Sequence, residues 1–496
     1  MKRTTVPSIE ELRRELENLK FSRNTHANPI LLSDSYKSSH WLQYPPGAEG
    51  YFGYIEARKP VRTIEPFTET VFFGLQIFVK DYLLNPITEE NIDEAENFFA
   101  LHGEPFNRKG WEHILNKYNG YLPVTIKAVK EGTVIPEGNI LLSVECDDPD
   151  AFWVGSFLET SLLRAVWYPS TVATNSRECK KLIYKYMLLT SDDPVNGMMF
   201  KLHDFGARGV SSSESAKLGG AAHLINFMGS DTIEGVKCAN DYYNNGKMTG
   251  FSIPATEHST ITAWGKDHEV DAYRNMLKQF GKPGAMFACV SDSYNIFNAC
   301  EHIWGEELKD EIVKSGAIVI VRPDSGDPAS TVTKCLHLLD DKFGSVVNSK
   351  GFKVLNNVRV IQGDGINLFS IKDICKMVTE HKFSLDNVNF GMGGALLQYP
   401  NRDTLRFAMK CSSIKINCKW TDVFKSPIGD PGKASKAGRI SLYRKRDGHG
   451  AKSEYATLKI NPLIPDNYED MLEVVYTNGR LIREQTFDEV RKLASL

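Results

Sequence analysis

Ala317 to Pro328, AIVIVRPDSGDP, is the stretch whose reading decides the fold. Its five apolar residues in a row, mostly β-branched, read as a strand buried on both faces, as in parallel sheets covered by helices. The run stops at Arg322-Pro323-Asp324-Ser325-Gly326, so a buried strand delivers an Arg, an Asp and a flexible turn to one point. That pattern fits the C-terminal rim of an α/β fold, where ligands sit. A salt-bridged turn of ordinary loop chemistry is the plain alternative.

The design recurs. Met199 to Gly206, Ala285 to Ser293, Val358 to Gly365 and Val388 to Gly394 are each an apolar strand followed by Asp or Gly. Between them, Ser293–Val313, Ser330–Leu339 and Leu368–Val378 carry helical periodicity. Strands alternating with helices predict βα units around a parallel sheet, and repeated polar endings predict one shared site.

Working outward, residues 51–165 hold short aromatic-rich strands, with Val124–Val129 and Asn139–Val144 alternating as antiparallel strands do. Strand-like segments return after Arg402 at Ile440–Arg444, Tyr455–Ile460 and Leu472–Tyr476. The expected organisation is an N-terminal extension (1–30), an α+β domain built from 31–169 with 400–496, and a βα barrel domain (170–399) with its boundary near Trp167-Tyr168-Pro169. Ser8 and Glu11 form a capping box ahead of an apolar stripe at Ile9, Leu12, Leu16 and Leu19, predicting a short surface helix. That helix lacks the apolar core of a secretion signal.

Composition excludes several function classes. The 496 residues carry 59 basic and 62 acidic side chains, a net charge of −3, which removes the electrostatic basis for general binding to nucleic acid or anionic membrane. No apolar run reaches bilayer-spanning length. Nine scattered cysteines without a C-x-x-C pair read as reduced thiols of a cytoplasmic protein.

Two phosphate motifs can be set aside. There is no P-loop, and Gly391-Met392-Gly393-Gly394-Ala395-Leu396 is only part of a dinucleotide fingerprint. Its glycines still let backbone N–H groups approach a phosphate. Asp292, Asp324 and Asp364 at strand ends suit Mg²⁺ or sugar hydroxyls, since both want carboxylate oxygen. Arg208, Arg322 and Arg402 suit phosphates or a planar ring, and Phe205 offers a stacking face. Lys425, Lys433, Lys436 and Arg439 make a basic loop, either a solvated turn or a phosphate clamp. A plain reading of Asp34 and Tyr36 is a helix cap and a packing aromatic, and of His258 a residue at a helix start. The inventory describes a phosphorylated sugar plus an aromatic partner, with no covalent nucleophile for the sugar.

Taken in order, Asp34-Ser-Tyr-Lys with His40, His203-Asp-Phe-Gly-Ala-Arg-Gly, Glu257-His-Ser-Thr, Ser291-Asp-Ser-Tyr, Arg322-Pro-Asp-Ser-Gly, Gly363-Asp-Gly and the Gly391 loop resemble the nicotinamide phosphoribosyltransferases. The resemblance runs from about residue 30 almost to the C-terminus. It implies an irregular α/β barrel of the type II phosphoribosyltransferases with a second domain from both chain ends. It also implies a homodimer with active sites at the interface, converting nicotinamide and phosphoribosyl pyrophosphate to nicotinamide mononucleotide and pyrophosphate. By matching positions, Phe205 and Tyr36 of the partner subunit would sandwich the pyridine ring, Asp231 would accept from the carboxamide, and Arg322 would hold base and phosphates. Gly363 and Asp364 would hold the ribose and Gly393 and Gly394 its 5′-phosphate. Arg58, Arg402 and Lys433 would contact phosphates, Arg58 and Arg402 from the other chain. Asp292 and Asp324 would lie near Mg²⁺, and His258 would be phosphorylated by ATP.

The chain departs from the family pattern at Ala207, where an aromatic is expected, and at Met392, which replaces a small residue; both are expected to reshape the pocket mouth. The nearest alternative is a nicotinate phosphoribosyltransferase, which would lack an acid at position 231. A Rossmann oxidoreductase would need a complete glycine fingerprint. A non-catalytic binding relative would be expected to have lost His258, Asp292 or Arg322.

Overall fold

The computed structural model describes residues 28–58, 67–243, 246–429, 434–445, 455–460, 464 and 466–496. The expected N-terminal surface helix and Lys433 lie outside the described residues.

The apolar runs form a parallel sheet in the order Gly229–Ser230, Leu202–Asp204, Val388–Met392, Val358–Gln362, Ile318–Arg322, Met286–Val290. The chain between Phe251 and Ala255 closes this sheet, with Phe251 bridging Gly229 at one edge and Ala255 bridging Ala288 at the other. Ser230 N–H donates to Phe251 O at 3.0 Å and Ala288 N–H to Pro254 O at 2.9 Å, so neither edge is left open. The result is an irregular βα barrel.

Side-chain alternation fixes which way each strand faces. Val319, Val321, Phe287, Cys289 and Val360 point outward into a large core shared with the surrounding helices. Ala288, Ile320 and Ile361 point inward, where Phe205 and Ile253 pack on them. The barrel interior is thus filled with apolar side chains.

The second core is built on an antiparallel sheet, in which Ala48–Glu56 pairs with Ala408–Ile416 and with Ile140–Cys146. Thr125–Ala128 pairs with Ile140–Cys146 and with Glu473–Thr477, so both chain ends contribute. The C-terminal helix Phe487–Leu493 is different: Phe487 and Val490 pack in the barrel core, outside the expected 400–496 grouping.

One helix, Glu159–Thr190, passes through the expected boundary without interruption and holds Pro169 inside it. Leu162, Leu163 and Val166 belong to the antiparallel-sheet core, while Val172, Ala173 and Cys179 belong to the barrel core. Proline normally disrupts a helix interior because it lacks an N–H and crowds the carbonyl four residues back. Here that carbonyl, Ala165 O, faces Gly74, where a Cβ would lie 2.6 Å away. The helix expected over Ser293–Val313 is in fact a short helical turn, a π-helix at Ala299–Glu307 and a helix at Lys309–Ser315. No helix among the described residues is long and apolar enough to cross a membrane.

Candidate active site

Strand ends meet in a cleft of about 580 Å³ lined by Phe205, Arg208, Asp231, His258, Arg322, Asp324, Gly363, Gly393 and Gly394, with Ala207 at its edge. Each ends a barrel strand or follows one, or the closing segment, by a few residues, so parallel strand direction gathers them.

Phe205 lies on the floor. Its N–H donates to Met392 O at 2.9 Å, and its ring fills the space above Gly391, where a Cβ would lie 2.0 Å from Phe205 Cε2. The Arg322 guanidinium sits 5.5 Å from the Phe205 ring centroid. Two parallel hydrogen bonds hold it in plane, Nε to Asp324 Oδ1 at 3.0 Å and Nη2 to Asp324 Oδ2 at 2.9 Å. Gly363 lies beside this pair, and a Cβ there would come 3.2 Å from Asp324 Oδ1. The salt-bridged turn is therefore part of the cleft lining.

Asp231 follows the Gly229–Ser230 strand. Its N–H donates to Asp204 O at 2.9 Å, and its Oδ1 accepts from the Ser252 hydroxyl. Ser252 belongs to the barrel-closing segment and was not singled out in the sequence, because FSIPA has no apolar run or motif to mark it. Asp204 itself is buried; its Oδ1 accepts from Gly206 N–H at 2.7 Å, which pins the turn carrying Phe205. Burial raises its carboxyl to about 6, and the neighbouring charge of Asp231 adds to the effect.

His258 starts a five-residue helix, His258–Thr262. Glu257, its sequence neighbour, accepts no capping hydrogen bond; the partner of His258 is Asp292, whose Oδ1 lies 3.0 Å from His258 Nε2. The Asp292 side chain is 6% exposed against 48% for His258, so a buried acid orients an accessible imidazole. A carboxylate accepting at Nε2 fixes the tautomer and leaves Nδ1 as the nucleophilic nitrogen.

Other expected residues lie elsewhere. Asp364 is exposed and does not line the cleft, although Gln362 Nε2 holds its carbonyl at 2.9 Å. Met392 is buried in the barrel core, so its side chain does not shape the pocket mouth as the sequence suggested. Arg58 and Arg402 line a second cleft with Glu159, Lys410 and Lys425. Arg58 donates to Glu56 at 2.8 Å, and its Nη2 is buried without a partner among the described residues. Lys37 ties Glu159 to this surface at 2.6 Å, and the adjacent Tyr36 is exposed, its ring 4.9 Å from His40. Lys410 is a cation that sequence reading missed, carried on the Ala408–Ile416 strand and shifted down by burial. In the basic loop, Lys436 pairs with Glu56 and Arg439 with Glu145, so those two are structural.

Among the described residues, the only cluster close enough to grip an ion is His113, Asp148 and Asp150. Asp148 already accepts from Lys117 at 2.7 Å and Tyr118 at 2.6 Å, which makes it an ion-pair network.

The model of the nicotinate phosphoribosyltransferase (NAPRTase) family matches residues 200–479, and that of the nicotinamide phosphoribosyltransferase N-terminal domain matches residues 28–126. The nicotinamide phosphoribosyltransferase of Xanthomonas campestris pv. campestris is 51% identical over 94% of this chain and 97% of its own. That of Mycoplasma pneumoniae is 31% identical over 84% of this chain and 96% of its own. The crystal structure of human nicotinic acid phosphoribosyltransferase shares the fold with a TM-score of 0.58 at 17% identity, covering 94% of this chain and 93% of that one. A nicotinate-nucleotide pyrophosphorylase from Pyrococcus furiosus gives a TM-score of 0.57 at 16% identity, over 100% and 97% of the two chains. With its barrel, strand-end cleft and near-full-length relatives together, the chain belongs to the nicotinamide phosphoribosyltransferases within the NAPRTase family.

Proposed function

We propose that this chain transfers the phosphoribosyl group of phosphoribosyl pyrophosphate to nicotinamide, giving nicotinamide mononucleotide and pyrophosphate for NAD salvage. The observation that carries this reading is Asp231, a carboxylate on the wall of the cleft floored by Phe205. A nicotinamide ring stacked on Phe205 donates its carboxamide N–H to that carboxylate. Nicotinate would set a second carboxylate against it, a repulsion of roughly a few kcal/mol in a partly buried site.

In the reaction the pyridine nitrogen lone pair forms the bond to the anomeric carbon while the carbon–oxygen bond to pyrophosphate breaks, its electron pair leaving with pyrophosphate. Charge builds on the sugar as an oxocarbenium and on the leaving group as an anion. Arg322 and Arg208 stabilise the anion, and Phe205 with Asp231 orients the base, so positioning and electrostatics suffice without an enzyme nucleophile at the sugar. The backbone at Gly393 and Gly394, which lines the cleft, seats the 5′-phosphate, and Gly363 the ribose.

Mg²⁺ would be held mainly by substrate phosphates, because Asp324 already accepts from Arg322 and Asp292 lies against His258. Asp292 and Asp324 are strand-end carboxylates, and this ion binds through one or two carboxylates plus substrate phosphates. When bound it would neutralise pyrophosphate charge. His258 Nδ1 would attack the γ-phosphorus of ATP, forming the N–P bond as the P–O bond to ADP breaks and ADP leaves; the phosphoryl group would then stand on the cleft wall and favour retention of the sugar substrate. The exposed Tyr36 and the cations Arg58, Arg402, Lys410 and Lys425 lie outside the cleft. That separation supports a homodimer in which each subunit lends this surface to its partner's site.

The test is mass spectrometry of products from equimolar nicotinamide and nicotinate with phosphoribosyl pyrophosphate and Mg²⁺, with and without ATP. Nicotinamide mononucleotide should dominate and increase with ATP. Nicotinate mononucleotide as the main product would overturn the specificity assignment.

A further inference from the structure

The turn that begins at Gly393 and Gly394 is a helix of only four residues, Gly394–Leu397. A segment so short supplies few of its own hydrogen bonds, and its carbonyls need outside partners to hold it still. Two of them find partners on one helix. Tyr168 Oη lies 2.7 Å from Leu397 O, and Asn175 Nδ2 donates to Ala395 O at 3.3 Å. Both donors come from the long Glu159–Thr190 helix, seven residues and about two turns apart, so they stand on one face.

The surroundings are cut to admit this contact. A Cβ on Gly219 would lie 2.4 Å from Tyr168 Oη, and one on Gly206 would lie 2.6 Å from Leu397 Cδ1. Tyr168 Oη also approaches Ser215 O at 3.1 Å, which links the turn to the Ser213–His223 helix. A hydroxyl has one proton, and the shorter distance gives it to Leu397. Behind the turn, Leu397 and Gln398 border an open cleft of about 240 Å³ with Tyr168 on its wall. Leu396 and Leu397 are fully buried in the barrel core and anchor the turn by packing, and the two hydrogen bonds fix its carbonyls, and so its backbone, beside the open cleft.

We infer that Tyr168 and Asn175 are positioning residues that hold the Gly393–Gly394 amides in register for a phosphate, without touching it. This rests on the proposed seating of the sugar 5′-phosphate at those glycines. A misplaced amide weakens phosphate capture while leaving the pyridine side, built on Phe205 and Asp231, in place.

The experiment is calorimetric titration of full-length wild type, Tyr168→Phe and Asn175→Ala with ribose 5-phosphate, alongside steady-state kinetics with both substrates. Losing one such hydrogen bond should weaken ribose 5-phosphate binding and raise KM for phosphoribosyl pyrophosphate roughly three- to ten-fold, with KM for nicotinamide changing less than about two-fold. Tyr168→Phe keeps the ring, so it remains interpretable if Asn175→Ala fails to fold. Unchanged ribose 5-phosphate affinity in Tyr168→Phe, a parallel loss for nicotinamide, or no binding by wild type would each overturn the inference. A wild type that makes no pyridine nucleotide, yet loses ribose 5-phosphate affinity on Tyr168→Phe, would overturn the proposed activity and keep this inference.

Discussion

Phe205 and Gly391 occupy one space: the ring lies where a Cβ on residue 391 would sit, 2.0 Å from Cε2. Gly391 pairs with His203 in the parallel ladder, so its backbone cannot retreat to make room. Gly391→Ala should therefore push the ring out of its stacking position. Overpacking of this kind costs about 1–3 kcal/mol. The expected result is a rise of roughly ten-fold or more in KM for nicotinamide with a lowered melting temperature, read by steady-state kinetics and thermal melts. An unchanged KM would show that Phe205 is not the stacking face.

Asp231 and Ser252 form the next pair. Asp231→Ser should lower the preference for nicotinamide over nicotinate, measured as the ratio of kcat/KM values, by about ten-fold or more, because the repelling carboxylate is gone. Ser252→Ala leaves the carboxylate but frees it to rotate, and should lower the same ratio by roughly three-fold. Competition between the two bases, followed by product mass, reads both. If Asp231→Ser still rejects nicotinate, the acid is not the discriminator.

His258 and Asp292 should act as a unit. Incubation with ATP should add one phosphoryl mass to the intact protein in an acid-labile form, absent in His258→Ala. Asp292→Asn should slow its formation by about ten-fold or more, since the amide no longer selects the tautomer with Nδ1 free. Equal phosphorylation of His258→Ala would locate the phosphoryl group elsewhere.

Asp204 gives a pH dependence with a definite sign. Its carboxyl titrates near 6 in the folded chain because burial disfavours the charge, whereas an unfolded Asp titrates near 4. The folded state therefore binds the proton more tightly, and this residue's contribution is most favourable below about pH 4 and is lost as pH rises through 6. A shift of about two units corresponds to roughly 2–3 kcal/mol. Asp204→Asn, which keeps the oxygen that accepts from Gly206, should gain stability relative to wild type as pH rises from 4 to 7. Urea midpoints at several pH values measure this; a difference independent of pH would refute it.

Much of the barrel is legible in the sequence because five of its strands fall in largely apolar stretches followed by Asp or Gly. Two features are not. The closing segment Phe251–Ala255 contains Pro254 and makes only isolated bridges, so it has neither the composition nor the alternation of a strand. The helix through Pro169 defeats the usual rule because its solution is distant: Gly74 accommodates the crowded carbonyl, and Ser170 and Thr174 accept from Phe73 and Val71 N–H at 3.0 Å. At the site, the motif residues Phe205, Arg322, Asp324 and His258 converge as expected. Asp204 is marked by its place at the end of an apolar stretch, whereas the orienting partners Ser252, Tyr168 and Asn175 carry no local signal for that role, since what marks them is contact across the fold.

The long Glu159–Thr190 helix has one further consequence. It is the structural member of two cores at once, with Val166 in one and Val172 in the other, and the C-terminal helix returns to the barrel core after the chain has finished the antiparallel sheet. The two halves are therefore not interchangeable modules. A recombination that swapped either one between relatives would have to carry the seam with it, or leave one core without its helix.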